Sequence, residues 1–317
     1  KLDIRVQFFV DNDKNRVGTK KQDIIVHKIE EIPSNSLIII AANVKYKIHE
    51  QLKKHSIEYI YIDPVWLHFY GNVDVIKMIE VNGEQIDIAY NMLKDDLSRR
   101  IYRNVLLHRA VHDIEMIWEI YDEHQYFAND LVKQAKGCFV DCGAFQGDTL
   151  KSFLGQIGSL SYQYYAFEAD RDNYEILKNY CKEHLLENVY PLNLGVWNQK
   201  ECLYFKSGDV TGDVSGKVME DKKDGNFVKI MVDSIDHVLS KENINFIKMD
   251  IEGAEINALN GAKRSIIKSK PVLAISAYHQ LEHLWEIPIL IKEINKDYQI
   301  YFRHHMWNMA DTVCYAM

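Results

Sequence analysis

The sequence has no apolar run long enough to cross a membrane. Its longest purely apolar run extends only from Leu37 to Ala42, whereas a membrane-spanning helix needs about 20 such residues. No apolar leader follows Lys1, so we expect neither a signal peptide nor a membrane span, and we predict a cytoplasmic location. Because the first residue is not methionine, we also expect the natural chain to continue upstream of Lys1.

Positive charge is not concentrated anywhere in the chain. There are 38 lysines and arginines against 46 aspartates and glutamates, a formal net charge of -8, and the basic residues are scattered. A nucleic-acid partner would call for a cationic face against its phosphates. The charge pattern therefore argues against nucleic acid as a partner.

Cysteine is scarce and irregularly spaced. An odd number without a regular pattern makes no disulfide framework and no zinc-finger spacing. We predict that the cysteines are small core residues in a reducing compartment. They are Cys138, Cys142, Cys181, Cys202 and Cys314.

Residues 1–82 are predicted to form a smaller, partial Rossmann-like α/β accessory domain. The predicted strands are Ile4–Val10, Leu37–Ala42 and Ile57–Ile62, and the predicted helix is Lys45–His55. Strands that alternate with helices indicate βαβ units, but no glycine loop precedes them. Asp11 follows the first strand, where dinucleotide folds hold a ribose. Without the glycine loop, we favour a solvent-facing acidic turn for Asp11.

Residues 83–136 are predicted to form a helical connector. Apolar residues recur at helical intervals and charged residues lie between them, a pattern typical of a helix with one solvated face. The apolar positions are Met92, Leu93, Leu97, Ile101, Val105 and Leu106.

Residues 137–317 alternate strands and helices throughout, which predicts a larger α/β Rossmann-like domain. The predicted strands are Cys138–Asp141, Tyr164–Glu168, Val189–Asn193, Phe246–Asp250, Val272–Ser276, Gln299–Arg303 and Thr312–Ala316. The last two follow each other closely, which indicates an antiparallel hairpin at the end of a parallel sheet.

A glycine turn follows the first of these strands. Asp141 ends the strand, Gly143, Ala144 and Gly147 form the turn, and a helix begins near Thr149. Glycine lets the backbone approach a ligand closely, and a helix N-terminus favours an anionic group. The pattern is D-x-G-x-x-x-G, whereas a dinucleotide site would have G-x-G-x-x-G. This favours S-adenosylmethionine as the cofactor, and the alternative is a purely structural turn.

Two further strand ends extend the predicted cofactor site. Glu168 and Ala169 end the second strand, where a carboxylate can accept hydrogen bonds from both ribose hydroxyls. Asn193 and Gly195 end the third strand and should border the adenine. The polar, glycine-rich segment 207–215 could cover the cofactor, or it could be a plain surface loop.

At this point the chain resembles the FkbM-type methyltransferases. The matching segments are Phe139–Thr149, Phe167–Asp170, Val232–Asp236, Phe246–Glu255, Pro271–His279, Leu284–Pro288 and Tyr301–His305. The resemblance covers most of residues 137–317, and its most specific segment is Asp-Ile-Glu-Gly-Ala-Glu. It implies a class I methyltransferase sheet and S-adenosylmethionine-dependent transfer of a methyl group. The implied acceptor is usually an oxygen of a sugar or another secondary metabolite, so we predict a small-molecule or glycan acceptor and carbohydrate modification. Oligomeric state is left open.

Catalytic residues are expected at the ends of the fourth and fifth strands. His279 is the first choice as general base, with Asp250 and Glu252 as further candidates. We favour a site without metal. The alternative is a divalent cation held by Asp250, Glu252, Glu255 and His279, because three neighbouring carboxylates repel one another unless they pair with a cation or share protons. His304 and His305 alternate on one strand, so at most one faces the site, and both are expected to be structural or to contact the acceptor.

Two other functions remain open at this stage. One is an NAD-linked sugar oxidoreductase or epimerase, against which the missing G-x-G-x-x-G argues. The other is a non-catalytic scaffold with a degenerate methyltransferase domain, against which the complete glycine turn and Glu168 argue.

Overall fold

The computed structural model describes residues 5–33, 35–40, 47–63, 65–66, 70–71, 73–127, 137–157, 161–206 and 227–317. Ile4, Ala41, Ala42 and the start of the predicted first helix lie outside these ranges. The predicted loop 207–215 lies outside them as well.

The N-terminal region forms two small sheets among its described residues. Its elements are β1 (Phe9–Val10), β2 (Lys20–Lys21), β3 (Ile24–His27), a 3-10 turn (Ile29–Glu31), β4 (Leu37–Ile40), α1 (Lys47–Lys54) and β5 (Glu58–Tyr61). β3 pairs parallel with β1 and antiparallel with β2, and β4 pairs parallel with β5. Asp11 lies in the turn after β1 and pairs at 3.1 Å with the exposed Arg16, the geometry of a surface turn.

Four further helices lie in the described part of residues 73–127. They are α2 (Val75–Val81), α3 (Gly83–Met92), α4 (Asp96–Val111) and α5 (Glu115–Trp118). Asp95 begins α4 by accepting the backbone N–H of Ser98. The buried face of α4 carries Ser98, Ile101, Tyr102, Val105 and Arg109.

The prediction of the apolar face of α4 was wrong at one position. Leu97 is 38% exposed, because the inward spacing begins one residue later, at Ser98. Two of the polar residues that α4 buries contact the larger domain, Ser98 at Phe302 and Arg109 at Ala277. We therefore treat the α4 face as a packing surface rather than as the face of a free connector.

The larger region contains a seven-stranded sheet. Its strands are β6 (Gly137–Cys142), β7 (Tyr162–Phe167), β8 (Val189–Leu192), β12 (Ile244–Met249), β13 (Val272–Ser276), β14 (Ile300–His304) and β15 (Thr312–Ala316). They lie in the order β14-β15-β13-β12-β6-β7-β8. All neighbours are parallel except the two pairs that β15 makes, which confirms the predicted parallel sheet with an antiparallel C-terminal hairpin.

Helices cover the sheet, and a second sheet stands beside it. The helices are α6 (Asp148–Ile157), α7 (Arg171–Glu183), α8 (Ile235–Val238), α9 (Glu255–Asn260), α10 (Lys263–Ser269) and α11 (His283–Ile294). The small sheet consists of β9 (Gly195–Val196), β10 (Glu201–Lys206) and β11 (Phe227–Asp233). The sequence analysis missed α8, α11 and this small sheet. No helix among the described residues is long and apolar enough to span a bilayer.

The helical segment packs directly against the edge of the large sheet. Lys94 donates its backbone N–H to Ile300 at 2.9 Å, and the guanidinium of Arg303 on β14 donates to Asp95 at 2.8 Å. One hydrophobic cluster includes residues from both halves of the chain. The predicted boundary at residue 137 therefore does not separate two cores, and the domain limits stay a prediction.

Candidate functional site

The candidate site lies at the point of the large sheet where the strand order reverses. From β6 the chain adds β7 and β8 on one side, whereas β12 and β13 lie on the other. Ligands of open α/β sheets bind outside the carboxyl ends of the strands at such a point. The glycine turn after β6, the acid after β7 and the acidic turn after β12 all belong to this edge.

The glycine turn lies directly against the end of β12. Gly143 has φ +80°, and a Cβ there would lie 2.0 Å from the carbonyl oxygen of Asp250, so only glycine fits. The backbone N–H groups of Gly143 and Ala144 both donate to Phe167 at 3.0 Å. α6 then begins at Asp148, and Thr149 is buried behind the turn. The turn thus joins the ends of β6, β7 and β12.

Glu168 is the carboxylate that faces this turn. Its Oε2 accepts the N–H of Phe145 at 2.7 Å, and its Oε1 accepts the N–H of Asp170 at 2.8 Å. Burial raises the pKa of Glu168, against the lowering effect of these two donors. A carboxylate oxygen has two acceptor sites, so each oxygen keeps one acceptor site for a ligand hydroxyl. Two free acceptor sites would suit the two donating hydroxyls of a ribose.

The other predicted adenine-side residues surround Glu168. The side-chain amide of Asn193 donates to the carbonyls of Glu168 at 3.0 Å and Ala169 at 3.2 Å. Gly195 pairs with Val232 of β11. The structure therefore brings Ala169, Asn193 and Gly195 together next to Glu168, as the sequence analysis predicted for neighbouring strand ends.

Asp141 lies beneath the turn and not on its ligand side. Its side chain is fully buried, with Tyr164 donating to Oδ2 at 2.6 Å and Lys248 pairing with Oδ1 at 3.0 Å. Lys248 also donates to the carbonyl of Gly143 at 2.7 Å. The contribution of Asp141 to the predicted cofactor site is therefore indirect, because it acts through Lys248 and the glycine turn. Lys248 itself was missed, although a lysine inside the apolar strand Phe-Ile-Lys-Met signals a buried partner.

An acidic cluster surrounds His279 beyond the ends of β12 and β13. His279 Nδ1 lies 3.0 Å from Glu255, and its Nε2 lies 3.4 Å from both Asp250 and Glu252. The imidazole is 1% exposed, whereas Asp250 and Glu252 keep 22% and 37% of their side-chain surface. Glu252 has φ +55°, a strained backbone for this residue type. The structure thus brings all four predicted residues together.

The pKa shifts of His279 and Glu255 indicate which groups of the cluster are charged. Burial alone would lower the pKa of His279, but the carboxylates of Glu255, Asp250 and Glu252 raise it to about 9. Burial alone would raise the pKa of Glu255, but His279 holds it below its usual value. His279 is therefore an imidazolium at neutral pH.

A divalent cation would have to compete with that proton. Ligand atoms of Asp250, Glu255 and His279 all lie within 4.8 Å of one another, which is close enough for a shared ion. However, a metal-bound imidazole must be neutral. The raised pKa of His279 gives one source of positive charge among these carboxylates, and a divalent cation, the alternative of the sequence analysis, would be another.

Stability is expected to fall as the pH rises from about 6.5 to 9. An unfolded histidine titrates near 6.5 and folded His279 at about 9, so its stabilisation is complete below the first value and lost above the second. His279→Gln removes this contribution. We compare the free energy of unfolding, measured in urea on EDTA-dialysed protein, at these two pH values. It should fall by on the order of 3 kcal/mol more in the wild type than in the variant. Equal losses in the two proteins would rule out the charged imidazole.

Two tyrosines complete the cluster, and no sequence pattern singled out either as catalytic. Tyr126 donates to Oδ2 of Asp250 at 2.7 Å, and Tyr278 donates to Oδ1 at 3.2 Å. Asp250 thus receives two phenolic donors in addition to His279. Its pKa is lowered, because Lys248 and His279 outweigh the effect of burial.

His283 also contacts the cluster, because its Nδ1 lies 3.3 Å from Glu255, whereas His304 and His305 have other partners. His304 contacts Thr312 and Asn308, and His305 contacts Asp122 and the hydroxyl of Tyr315. Both imidazoles are buried.

Trp285 is 2% exposed and lies in the core. All five cysteines are free, and four of them are buried, as predicted for small core residues.

The strand order and the site at the switch point define a class I methyltransferase fold. The methyltransferase FkbM domain matches residues 141–307, more than half of the chain, and the chain belongs to this family. No curated protein matches it.

Two solved structures are among those similar to this chain. A methyltransferase FkbM from Methylobacillus flagellatus KT is 25% identical, with a TM-score of 0.74, and the match covers 97% of this chain and 82% of that chain. A SAM-dependent methyltransferase from Aquifex aeolicus is 14% identical, with a TM-score of 0.36 and coverage of 65% and 98%.

Proposed function

We propose that the chain transfers a methyl group from S-adenosylmethionine to a sugar hydroxyl in a glycan, a nucleotide sugar or a secondary metabolite. The family supports methyl transfer in general. The observation that carries the cofactor assignment is Glu168, whose two oxygens each accept one backbone N–H and keep a free acceptor site beside the glycine turn.

The chain's own residues would hold the cofactor at three strand ends. S-adenosylmethionine supplies an electrophilic methyl group on its sulfonium. Glu168 would accept the ribose hydroxyls, and the turn at Gly143, Ala144 and Gly147 would contact the methionine part near the start of α6. Asn193 orients the backbone of Glu168 and Ala169 through its amide. Holding both reactants in line supplies much of the rate enhancement.

The acidic cluster suits a neutral, hydroxyl-rich acceptor. Asp250 and Glu252 are the partly exposed carboxylates around His279, and carboxylates accept hydrogen bonds from sugar hydroxyls. The same charges repel phosphates placed beside them, so a nucleotide sugar would have to present its sugar, and not its diphosphate, to these carboxylates. This disposition supports a sugar over a nucleic acid as the acceptor.

Asp250 is the group we assign to take the proton from the acceptor hydroxyl. His279 was predicted for this role, but its imidazole is 1% exposed and its pKa of about 9 keeps it protonated at neutral pH. Asp250 is ionised and more accessible. His279 then stabilises the negative charge of Asp250, and Glu252 lines the entrance.

Calorimetric titration with S-adenosylhomocysteine, with NAD as the parallel control, tests the cofactor assignment. We expect micromolar binding of S-adenosylhomocysteine and none of NAD. Binding of NAD alone would favour a sugar oxidoreductase or epimerase. Binding of neither would favour a non-catalytic scaffold.

The same protein, incubated with S-adenosylmethionine and a panel of nucleotide sugars and glycan fragments, should release S-adenosylhomocysteine with at least one acceptor.

A further inference from the structure

Two residues of the N-terminal half contact the backbone that carries Tyr278 and His279. The hydroxyl of Tyr70 donates to the carbonyl of Tyr278 at 2.5 Å, and Nη2 of Arg109 donates to the carbonyl of Ala277 at 3.1 Å. Both side chains are buried, at 2% and 0% exposure. Two consecutive carbonyls at the end of β13 are therefore held from outside the methyltransferase domain.

Arg109 is held without a carboxylate. Among the described residues, no ion pair reaches its guanidinium, and its Nε and Nη1 have no hydrogen-bond partner. The guanidinium lies 5.2 Å from the centre of the Tyr70 ring, and burial lowers the pKa of Arg109. An unpaired buried cation opposes folding. Its presence is explained by what it positions rather than by stability.

The segment that these donors hold leads directly into the cluster. Tyr278 itself donates its hydroxyl to Asp250. The next residue, His279, places its imidazole among three carboxylates. The two rings lie 4.1 Å apart. A small rotation of the backbone here would move both side chains relative to Asp250.

We propose that Tyr70 and Arg109 are positioning residues, which hold Ala277 and Tyr278 so that Tyr278 and His279 meet Asp250. The inference deepens the proposed methyl transfer and rests on it for its catalytic meaning. The N-terminal half thereby completes the acceptor side of the site, whereas the cofactor side is built within residues 137–317.

The titration of His279 tests this positioning without needing an acceptor. In the full chain labelled with 13C at histidine Cε1, and with the His279 signal assigned by its loss in His279→Gln, we expect wild-type His279 to titrate near 9. Tyr70→Phe keeps the ring beside Arg109 but removes the donor. We expect its His279 signal to move toward the ordinary value of about 6.5.

Tyr102→Phe is the matched control. Tyr102 is equally buried, and its hydroxyl has no hydrogen-bond partner among the described residues, so its loss should leave the His279 titration unchanged. Arg109→Met should move the titration as Tyr70→Phe does, with a melting temperature equal to or above that of the wild type.

The outcomes separate positioning from support of the fold. An unchanged His279 titration in folded Tyr70→Phe and Arg109→Met would overturn the proposal. So would an equal change in Tyr102→Phe. Affinity for S-adenosylhomocysteine should stay within about twofold in all three variants, because the cofactor side is separate. A wild type that binds no S-adenosylhomocysteine but shows the expected titrations would refute the proposed function and leave the positioning contact intact.

Discussion

Replacing Glu168 by alanine is expected to weaken S-adenosylhomocysteine binding by about 100-fold or more while the chain stays folded. A hydrogen bond to an ionised acceptor contributes about 1.5–3 kcal/mol, and Glu168 has one acceptor site left on each oxygen. Losing both ribose contacts therefore removes at least about 3 kcal/mol of binding free energy. The variant also leaves the N–H groups of Phe145 and Asp170 without their partner, which loosens the glycine turn.

A control variant that removes another glutamate separates the loss of the ribose contacts from the loss of a negative charge. Both variants are titrated with S-adenosylhomocysteine in the calorimeter. Glu187 lies exposed in the turn before β8, so Glu187→Ala removes the same charge from the same region and should bind as the wild type does. The melting temperature of the ligand-free Glu168→Ala variant controls for folding. Affinity within twofold of the wild type would remove Glu168 from the cofactor site.

The large sheet could be predicted from the sequence because its strands are buried on both faces. Such strands are nearly continuous apolar segments, as in Val272–Ser276, whose predicted and observed limits coincide. The residues that we propose to bind the cofactor lie at the ends of these strands. That Glu168 and Asn193 lie close together could therefore be predicted from the strand order, because parallel strands end at one edge.

Contacts between distant segments could not be predicted in this way. Tyr126 reaches Asp250 across 124 positions, and Tyr70 reaches Tyr278 across 208. Neither tyrosine differs in its local pattern from a core residue. Helix α11 was missed because it contains Pro288 and is buried around much of its circumference, so it has no clear polar face. The β10–β11 hairpin was missed because a long polar segment separates its strands.

Lys248→Met is expected to destabilise the chain by about 3–5 kcal/mol, the cost of breaking a buried ion pair by removing one partner. Lys248 is 2% exposed and pairs with the fully buried Asp141 at 3.0 Å. Burial alone would lower the pKa of Lys248, but Asp141 and Asp250 raise it, so the ammonium stays charged. Without it, the Asp141 carboxylate keeps only Tyr164, and the carbonyl of Gly143 loses its donor.

A double-mutant cycle distinguishes the ion pair from simple packing. Asp141→Asn alone should also destabilise, because it leaves the ammonium of Lys248 without its buried carboxylate. The combination Asp141→Asn with Lys248→Met leaves no buried charge in the pair, so its loss of unfolding free energy should be clearly smaller than the sum of the two single losses.

Lys229→Met is the control for the cycle, because Lys229 is an exposed lysine within strand β11 and its loss should cost less than about 0.5 kcal/mol. Additive single losses in urea unfolding would mean that Asp141 and Lys248 act independently. A coupled result would tie the glycine turn to β12, because Lys248 joins Asp141 to the carbonyl of Gly143. The cofactor turn would then depend for its shape on a charge buried beneath it.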